Sequence, residues 1–382
     1  MATHVLTLVL SFAIGGDATV PEGSLAVKKD EVEYQSQMFE SWWGTKLEWQ
    51  LSELPTEGTV PEYRIPYSGH DYPDRGGGTD TRASRGMSAL GKYDMAFNGG
   101  RGLAVAFERI DVGRRPDSDG VDRRRGSRRA TTASRLTRLE DLNRPPGLFE
   151  RMRARRSVGW YGHCNGWTAA CIRHAEPAKN VVRNGVVFTP ADIKGLLAEL
   201  YMHSETEFLG GIDTVINPGT LHVTLTNWLG RGDHPVGMES VPGKVVYNYP
   251  IYNYKAELKK HSERLWEVKM KALYAVNTGH EMVKSPRLHK EKFFHYALDL
   301  DKDGKIIGGR YYNDSARIDM LWSPLKPTQG GKEGNESGNP HLNAENILSM
   351  WRESAPGDLQ KKWLNIDPTD KDRIGSNDKD TD

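Results

Sequence analysis

GWYGHCNGWTAACIRH, at residues 159–174, is the most informative segment of the chain. Glycines and polar residues surround Cys164, and the TAACIRH that follows is typical of a helix. Cys164 is therefore predicted to lie at a helix N-terminus, where the helix dipole and unpaired backbone N–H groups stabilise a thiolate. The same N–H groups can form part of an oxyanion hole. This context favours a nucleophile over the small buried hydrophobe that a lone cysteine usually is.

The second cysteine of the chain, Cys171, has a different interpretation. It lies seven residues after Cys164, so in a helix the two Cα atoms are about 10 Å apart, too far for a disulfide. Cys171 also falls on the Ala-rich face of the predicted helix, which indicates simple packing. Cys164 is therefore the candidate nucleophile.

A thiol nucleophile needs a base, and a third group usually holds that base in position. The segment TLHVTLTNWLG, at residues 220–230, alternates as a strand does and carries His222, whose neighbours point to the opposite face. His222 is the predicted base. On the strand that follows, Glu239 is predicted to orient it, with Asp233 and Asn227 as weaker candidates.

The remaining pattern around the nucleophile is a helix followed by antiparallel strands. ADIKGLLAELYMH (191–203) has the apolar stripe of a helix. VGMESVPGKVVYNYPIYNY (236–254) and KFFHYALDLDKDGKIIGGRYY (292–312) are typical of β-hairpins. A cysteine helix, a second helix and several hairpin strands predict an α+β fold.

Composition divides the 382 residues into five parts. One segment holds fourteen Arg, no Lys and almost no aromatic residues, so it cannot bury enough apolar surface to offset its ordering entropy. Near the end, AENILSMWRES (344–354) is amphipathic enough to dock on the core. The predicted parts are a flexible N-terminus at 1–34, a first folded part at 35–112, a disordered Arg-rich insert at 113–156, a compact core at 157–325 and a polar, mostly disordered tail at 326–382.

Localisation and partners are predicted from hydropathy and charge. Residues 5–15 (VLTLVLSFAIG) form an apolar run with the length of a signal-peptide h-region, which predicts secretion or a cell-envelope location. No other run approaches the ~20 apolar residues of a membrane helix. The formal net charge of +1 argues against a nucleic-acid-binding protein. An anion- or RNA-binding arm is the minor alternative for the Arg-rich insert.

One short segment resembles a calcium loop. Asp299, Asp301 and Asp303, followed by Gly304, have the spacing of an EF-hand loop. The twelfth position, however, is Arg310 in place of the bidentate Glu, and strands flank the segment instead of helices. A hairpin turn is the preferred interpretation, and a weak calcium site is the alternative.

Taken together, these motifs resemble the transglutaminase elicitor family over about residues 42–322, excluding the Arg-rich insert. In VVYNYPIYNY (245–254), Asn248 and Pro250 of the family's V-W-N-Q-P-V motif are retained, whereas Tyr247 and Tyr249 replace Trp and Gln. The other shared motifs are GHCNGWTAA at the nucleophile, PADIKGL (190–196) and NPGTLHVTLTNWLG (217–230).

This resemblance implies a papain-like or transglutaminase-like core and a Cys-His-Asp triad that needs no cofactor. The triad corresponds here to Cys164, His222 and Glu239, with Glu at the position where the family usually has Asp. The implied reaction is acyl transfer from a protein glutamine carboxamide, through a cysteine thioester, to a lysine amine or water. The implied partners are proteins that bear Gln and Lys side chains.

Three residues around the nucleophile, Trp160, Asn165 and Trp167, are candidates for an oxyanion hole or an acyl tunnel.

Two other functions remain as alternatives. A papain-like cysteine peptidase or amidase would use the same thiol, but the six residues before Cys164 hold no Gln. A non-catalytic secreted recognition protein on the same scaffold is favoured by the Glu239 substitution.

Overall fold

The computed structural model describes residues 23–81, 86–114, 161–211, 215–242 and 247–362. The apolar run at 5–15, nearly all of the Arg-rich insert, Trp160 and residues 363–382 lie outside these ranges. The expectations about a signal peptide, a disordered insert and the end of the tail therefore stay predictions. Within the described ranges, none of the helices combines the length and apolar character needed to cross a bilayer.

The helices of the described ranges gather before and after a long run of strands. Their bounds are α1 (Lys29–Trp43), α2 (Ala89–Phe97), α3 (Leu103–Arg114), α4 (Cys164–Arg173), α5 (Pro190–Tyr201), α6 (Pro218–Leu225), α7 (Ala344–Ser354) and α8 (Gly357–Lys362).

The strands form one large antiparallel sheet and one small hairpin. Their bounds are β1 (Leu25–Ala26), β2 (Glu57–Thr59), β3 (Val181–Arg183), β4 (Val186–Phe188), β5 (Thr206–Gly210), β6 (Val236–Glu239), β7 (Asn248–Ser262), β8 (Leu265–Ala275), β9 (His289–Leu300), β10 (Ile306–Tyr311) and β11 (Leu321–Pro324). The order in the large sheet is β1-β10-β9-β8-β7-β6-β11-β5, with β2 also paired to β7, and β3 pairs with β4. The predicted α+β class is confirmed.

The large sheet separates two hydrophobic cores. Alternate residues of a strand point to opposite faces, and on β11 Leu321 belongs to one core whereas Trp322 belongs to the other. The first core contains Leu221 and Val223 of α6. The second contains Ala169 of α4. Helices α4 and α6 therefore pack on opposite faces of the sheet.

Helices α4 and α5 approach each other closely at Gly166. A Cβ added there would lie 2.1 Å from the carbonyl oxygen of Ala198 on α5. Helix α5 is fixed at its start by a capping box between Thr189 and Asp192 and by Pro190 in its first turn. Glycine at residue 166 thus sets the spacing of the two helices, and with it the position of the Cys164 end of α4.

Gly166→Ala is expected to lower the free energy of unfolding by about 1–3 kcal/mol, because a backbone overlap must be relieved. Gly113→Ala is the matched control, since Gly113 is also helical but its added Cβ would meet nothing within 4 Å. That control is expected to be neutral or to stabilise by up to about 1 kcal/mol. Urea unfolding of the full chain measures both, and equal stability of the two variants would contradict the close approach.

Residues 218–225 form a helix where the sequence predicted a strand, and a π-helical turn at Thr226–Arg231 follows. The prediction was wrong because every residue of α6 is buried, so its apolar alternation did not mark one buried and one exposed face. The overlooked signal was a helix start. Asn217 accepts a hydrogen bond from the N–H of Gly219 at 2.7 Å, and Pro218 occupies the first turn.

The other predicted elements are present. The helix predicted at 191–203 is α5, and the two predicted hairpins are β6–β7 and β9–β10. The amphipathic stretch is α7, which buries Ile347, Met350 and Trp351 in the second core. The tail is thus packed on the core through α7, where the sequence predicted mostly disorder.

Candidate active site

Cys164 is the first residue of α4, as predicted, and is 8% exposed. Its sulfur faces the start of β7. The backbone nitrogen of Asn248 lies 3.5 Å from Sγ, and Nδ2 of the same residue lies 3.7 Å from it. Two N–H donors from one residue therefore point at the sulfur.

The surroundings of Cys164 favour the neutral thiol. Burial raises the pKa of Cys164, the backbone and side-chain hydrogen bonds from Asn248 lower it, the Asp71 carboxylate raises it and the backbone of Asn165 lowers it. The net pKa is raised, so the helix start does not by itself prepare a thiolate. A base is needed to remove the thiol proton.

Asn248 is held firmly in this orientation. Its Oδ1 accepts the indole N–H of Trp322 at 2.8 Å, and its carbonyl oxygen accepts the Thr168 hydroxyl at 3.1 Å. An indole nitrogen can only donate, so Oδ1 must face Trp322 and Nδ2 must face the sulfur. The donors near Cys164 are therefore fixed before any substrate binds.

Glu239 lies one strand away from Asn248, directly opposite it in the β6–β7 register. Residues opposite each other in an antiparallel pair share a face of the sheet, so both side chains are on the same side. Pro250, the other retained motif residue, is buried opposite Gly237. The candidate acid is thus next to Asn248, the residue that faces the thiol.

The structure does not bring His222 to Cys164 and so does not support its prediction as the base. It lies on α6, whereas Cys164 lies on α4 across the sheet. Nδ1 of His222 is 2.8 Å from the hydroxyl of Tyr296, and burial lowers its pKa to about 3. A buried neutral imidazole bonded to tyrosine is a core residue. The predicted role of Glu239, to orient His222 beside the thiol, is therefore not supported either.

A loop at residues 67–72 packs against the start of α4. The carbonyl oxygen of Asp71 accepts the N–H of His163 at 2.6 Å. A Cβ added to Gly69 would lie 2.8 Å from the ring of Trp167 on α4. The loop backbone therefore packs against His163, directly before the nucleophile, and against Trp167, about one helical turn after it.

This loop carries His70, which the sequence analysis missed. Its Nδ1 lies 2.7 Å from the carbonyl oxygen of Thr278 and 3.5 Å from Oδ1 of Asp71. Burial lowers its pKa, Thr278 and Asp71 raise it, and His280 lowers it, for a net decrease. Because a carbonyl only accepts, Nδ1 carries the proton and Nε2 keeps the lone pair. The sequence signal that could have identified His70 is its position directly after Gly69 and directly before the acidic Asp71.

The buried ammonium of Lys194 binds the segment at residues 276–288, which carries Thr278. Its Nζ lies 2.5 Å from Oε1 of Glu176, 2.8 Å from Oγ of Ser285 and 2.9 Å from the carbonyl oxygen of Met282. Helix α5, which carries Lys194, thus fixes the partner of His70 as well as the helix of Cys164.

The predicted oxyanion and tunnel residues have different outcomes. Asn165 donates from Nδ2 to the carbonyl oxygen of Met202 at 2.8 Å, so its side chain ties α4 to the end of α5. Trp167 is 2% exposed, and its ring lies 6.4 Å from that of Tyr249. Trp167 forms part of the packed base of the site, and Trp160 lies outside the described residues.

The calcium candidate forms a hairpin turn. Oδ1 of Asp301 accepts the backbone N–H groups of Asp303 and Lys305, both at 2.9 Å. Asp299 is buried in β9, and Gly304 has a φ of +86° that favours glycine. These contacts explain the Asp-rich spacing as turn chemistry, and a role for calcium stays a prediction.

Comparison with known proteins bears on this site. Residues 35–214 match the family model described as transglutaminase elicitor. The resemblance to the transglutaminase elicitor family is confirmed. This transglutaminase elicitor match includes Cys164 and the loop at 67–72, whereas His222, Glu239 and Asn248 lie beyond it.

The fold is similar to that in the crystal structure of the GP42 transglutaminase from Phytophthora sojae. The TM-score is 0.63 at 21% identity, and the match covers 86% of this chain and 99% of that one. A likeness at this identity shows the fold alone. No curated protein matches the chain.

Proposed function

We propose that this protein is a protein-glutamine γ-glutamyltransferase with Cys164 as its nucleophile. The observation that carries the proposal is the thiol at the start of α4, faced by both N–H donors of Asn248. The family match and the fold shared with the GP42 transglutaminase support the same reaction class.

In the first half-reaction, the Cys164 sulfur attacks the carbonyl carbon of a glutamine carboxamide. A C–S bond forms, and the negative charge moves to the carbonyl oxygen, where the donors of Asn248 can stabilise it. The C–N bond then breaks. The departing nitrogen takes the proton that the base removed from the thiol and leaves as ammonia, which produces a thioester.

In the second half-reaction, a lysine amine attacks the thioester carbonyl and gives a proton to the base. The C–S bond breaks, the base returns the proton to sulfur, and an isopeptide bond remains. Water in place of the amine gives a glutamate, which is deamidation. The substrates are thus proteins that bear Gln and Lys side chains.

We infer that His70 supplies this base. Its loop touches the residues on both sides of the nucleophile, and its Nδ1–H is held by the Thr278 carbonyl, which leaves Nε2 as the proton acceptor. Asp71 lies beside it and can stabilise the imidazolium that forms. A histidine positioned by a carbonyl and flanked by a carboxylate meets the requirement for a third orienting group.

Asn248→Ala is expected to lower kcat by about 10²–10³-fold, the usual cost of removing one oxyanion donor. Asn165→Ala is the control, because that amide binds the carbonyl of Met202, just after α5 and away from the sulfur, and its kcat is expected to change little. Steady-state amine incorporation gives kcat, and thermal melts verify folding. An unchanged kcat in a folded Asn248→Ala protein would remove Asn248 from the mechanism.

The test of the proposed function is incorporation of a fluorescent primary amine into a glutamine-rich protein by the wild-type full chain. Parallel reactions contain calcium or a chelator, so the calcium prediction is tested at the same time. Labelled protein is expected, with the modified glutamine located by mass spectrometry. Absence of labelling in both conditions contradicts transferase activity.

Two further readouts separate the alternatives. Conversion of glutamine to glutamate without labelling would indicate an amidase, and cleavage of the substrate backbone would indicate a peptidase. The low exposure of the thiol favours the non-catalytic alternative. Failure of iodoacetamide to modify Cys164 at neutral pH, together with no labelled product, would support that alternative.

A further inference from the structure

A buried group of three side chains next to the nucleophile has the composition of a metal site. Nε2 of His163 lies 2.9 Å from Oε2 of Glu199 and 3.4 Å from Oε1 of Glu108. The three ligand atoms all lie within 4.8 Å of one another, and all three residues are buried. These residues are called the Glu108–His163–Glu199 cluster below.

The cluster sets two carboxylates around one imidazole nitrogen, and all three side chains are buried. The charges of two carboxylates are equal in size and opposite in sign to the charge of one divalent cation, and a neutral imidazole is a common third ligand.

The spacing of the ligand atoms suits an ion of zinc size. Zinc lies about 2.1 Å from imidazole and carboxylate ligands, which places neighbouring ligands of a tetrahedral ion about 3.4 Å apart. The two separations from Nε2 of His163, at 2.9 and 3.4 Å, are close to that value. Only small movements of side chains are needed for a shared ion.

The carboxylates are oriented by further donors, as metal ligands usually are. The N–H of Thr79 donates to Oε1 of Glu108 at 2.9 Å, and its hydroxyl donates to Oε2 of Glu199 at 2.6 Å. Asn339 donates to Oε1 of Glu199 at 3.1 Å. A Cβ added to Gly78 would lie 1.7 Å from Oε1 of Glu108, so glycine makes the space that this carboxylate occupies.

We propose that the Glu108–His163–Glu199 cluster binds one zinc ion through Nε2 of His163 and one oxygen of each glutamate. Imidazole and carboxylate are both ligand types that Zn²⁺ takes in sites with three protein ligands, whereas Ca²⁺ needs six to eight oxygens. The ion joins α3, α5 and the residue immediately before Cys164. It thereby fixes the start of the nucleophile helix, and its binding does not depend on the proposed activity.

Metal content of the wild-type full chain is the first test. The protein is stripped with a chelator, dialysed against Zn²⁺ and measured by mass spectrometry of the elements, with one zinc per chain expected. Co²⁺ in place of Zn²⁺ is expected to give d–d absorption without an intense thiolate charge-transfer band. A clearly substoichiometric metal content, or a strong charge-transfer band, overturns the proposal.

Variants then locate the ion. Glu108→Gln and Glu199→Gln are expected to weaken zinc binding by more than about 100-fold, since loss of an outer partner alone costs about 10–100-fold. Cys164→Ala and Glu176→Gln are expected to retain full zinc, because Glu176 is a largely buried carboxylate paired elsewhere, with Lys194. Loss of zinc in Cys164→Ala overturns the proposal. If the glutamate variants do not fold, the wild-type cobalt spectrum still decides.

Discussion

Cys164→Ala is expected to lower the rate of amine incorporation by at least about a thousandfold, because the thioester cannot form without the sulfur. The chain has no second thiol at the N-terminal end of α4. The sulfur of Cys171 lies two turns further along the helix, is fully buried and donates to the carbonyl oxygen of Thr168 at 3.2 Å. The measurement is initial rate with a saturating amine, alongside a thermal melt.

Cys171→Ala is the matched control for this variant. It removes the same atom from the same helix, so it is expected to cost some stability through a small cavity while its rate remains near that of the wild type. Intact mass spectrometry adds a direct readout, since the acyl-enzyme is expected in Cys171→Ala and not in Cys164→Ala. Residual incorporation of more than a few per cent in Cys164→Ala would show that another group carries the acyl chain.

His70→Ala is expected to reduce kcat by about 10²–10⁴-fold, the range for loss of a general base. The raised pKa of the buried Cys164 thiol makes this dependence strong, since little thiolate is present without a base. KM is expected to change less than kcat, because the imidazole acts on protons in the transition state and not on substrate binding. Steady-state kinetics with a glutamine peptide and a fluorescent amine separates the two constants.

His222→Gln distinguishes this assignment from the one that the sequence suggested. Glutamine can keep a hydrogen bond to Tyr296, so the variant is expected to lose stability while its kcat, normalised to folded protein, is retained. His280→Ala tests the neighbouring ring, which lies 5.3 Å from that of His70, and is expected to have the smaller effect. A folded His222→Gln protein without activity, beside an active His70→Ala protein, would restore His222 as the base.

The elements that depend on local signals could be predicted from the sequence. The start of α4 follows from a Gly- and His-bearing turn before an Ala-rich run, so the position of Cys164 was predictable. Helix α5 was predictable from Pro190 and its apolar stripe, and the β9–β10 hairpin from its Asp-Gly turn. In each case the deciding interactions join residues that are close in the chain.

The surroundings of the thiol depend on tertiary contacts and could not be predicted from the sequence. Helix α6 is buried on all sides, so its alternation carried no information about faces, and its His222 became a core residue. The loop that carries His70 packs on the start of α4 although it is distant in the chain, and the Glu108–His163–Glu199 cluster joins three separate segments. Such contacts between remote segments depend on how helices and the sheet stack, and a linear pattern of polar and apolar residues does not encode which segments will meet.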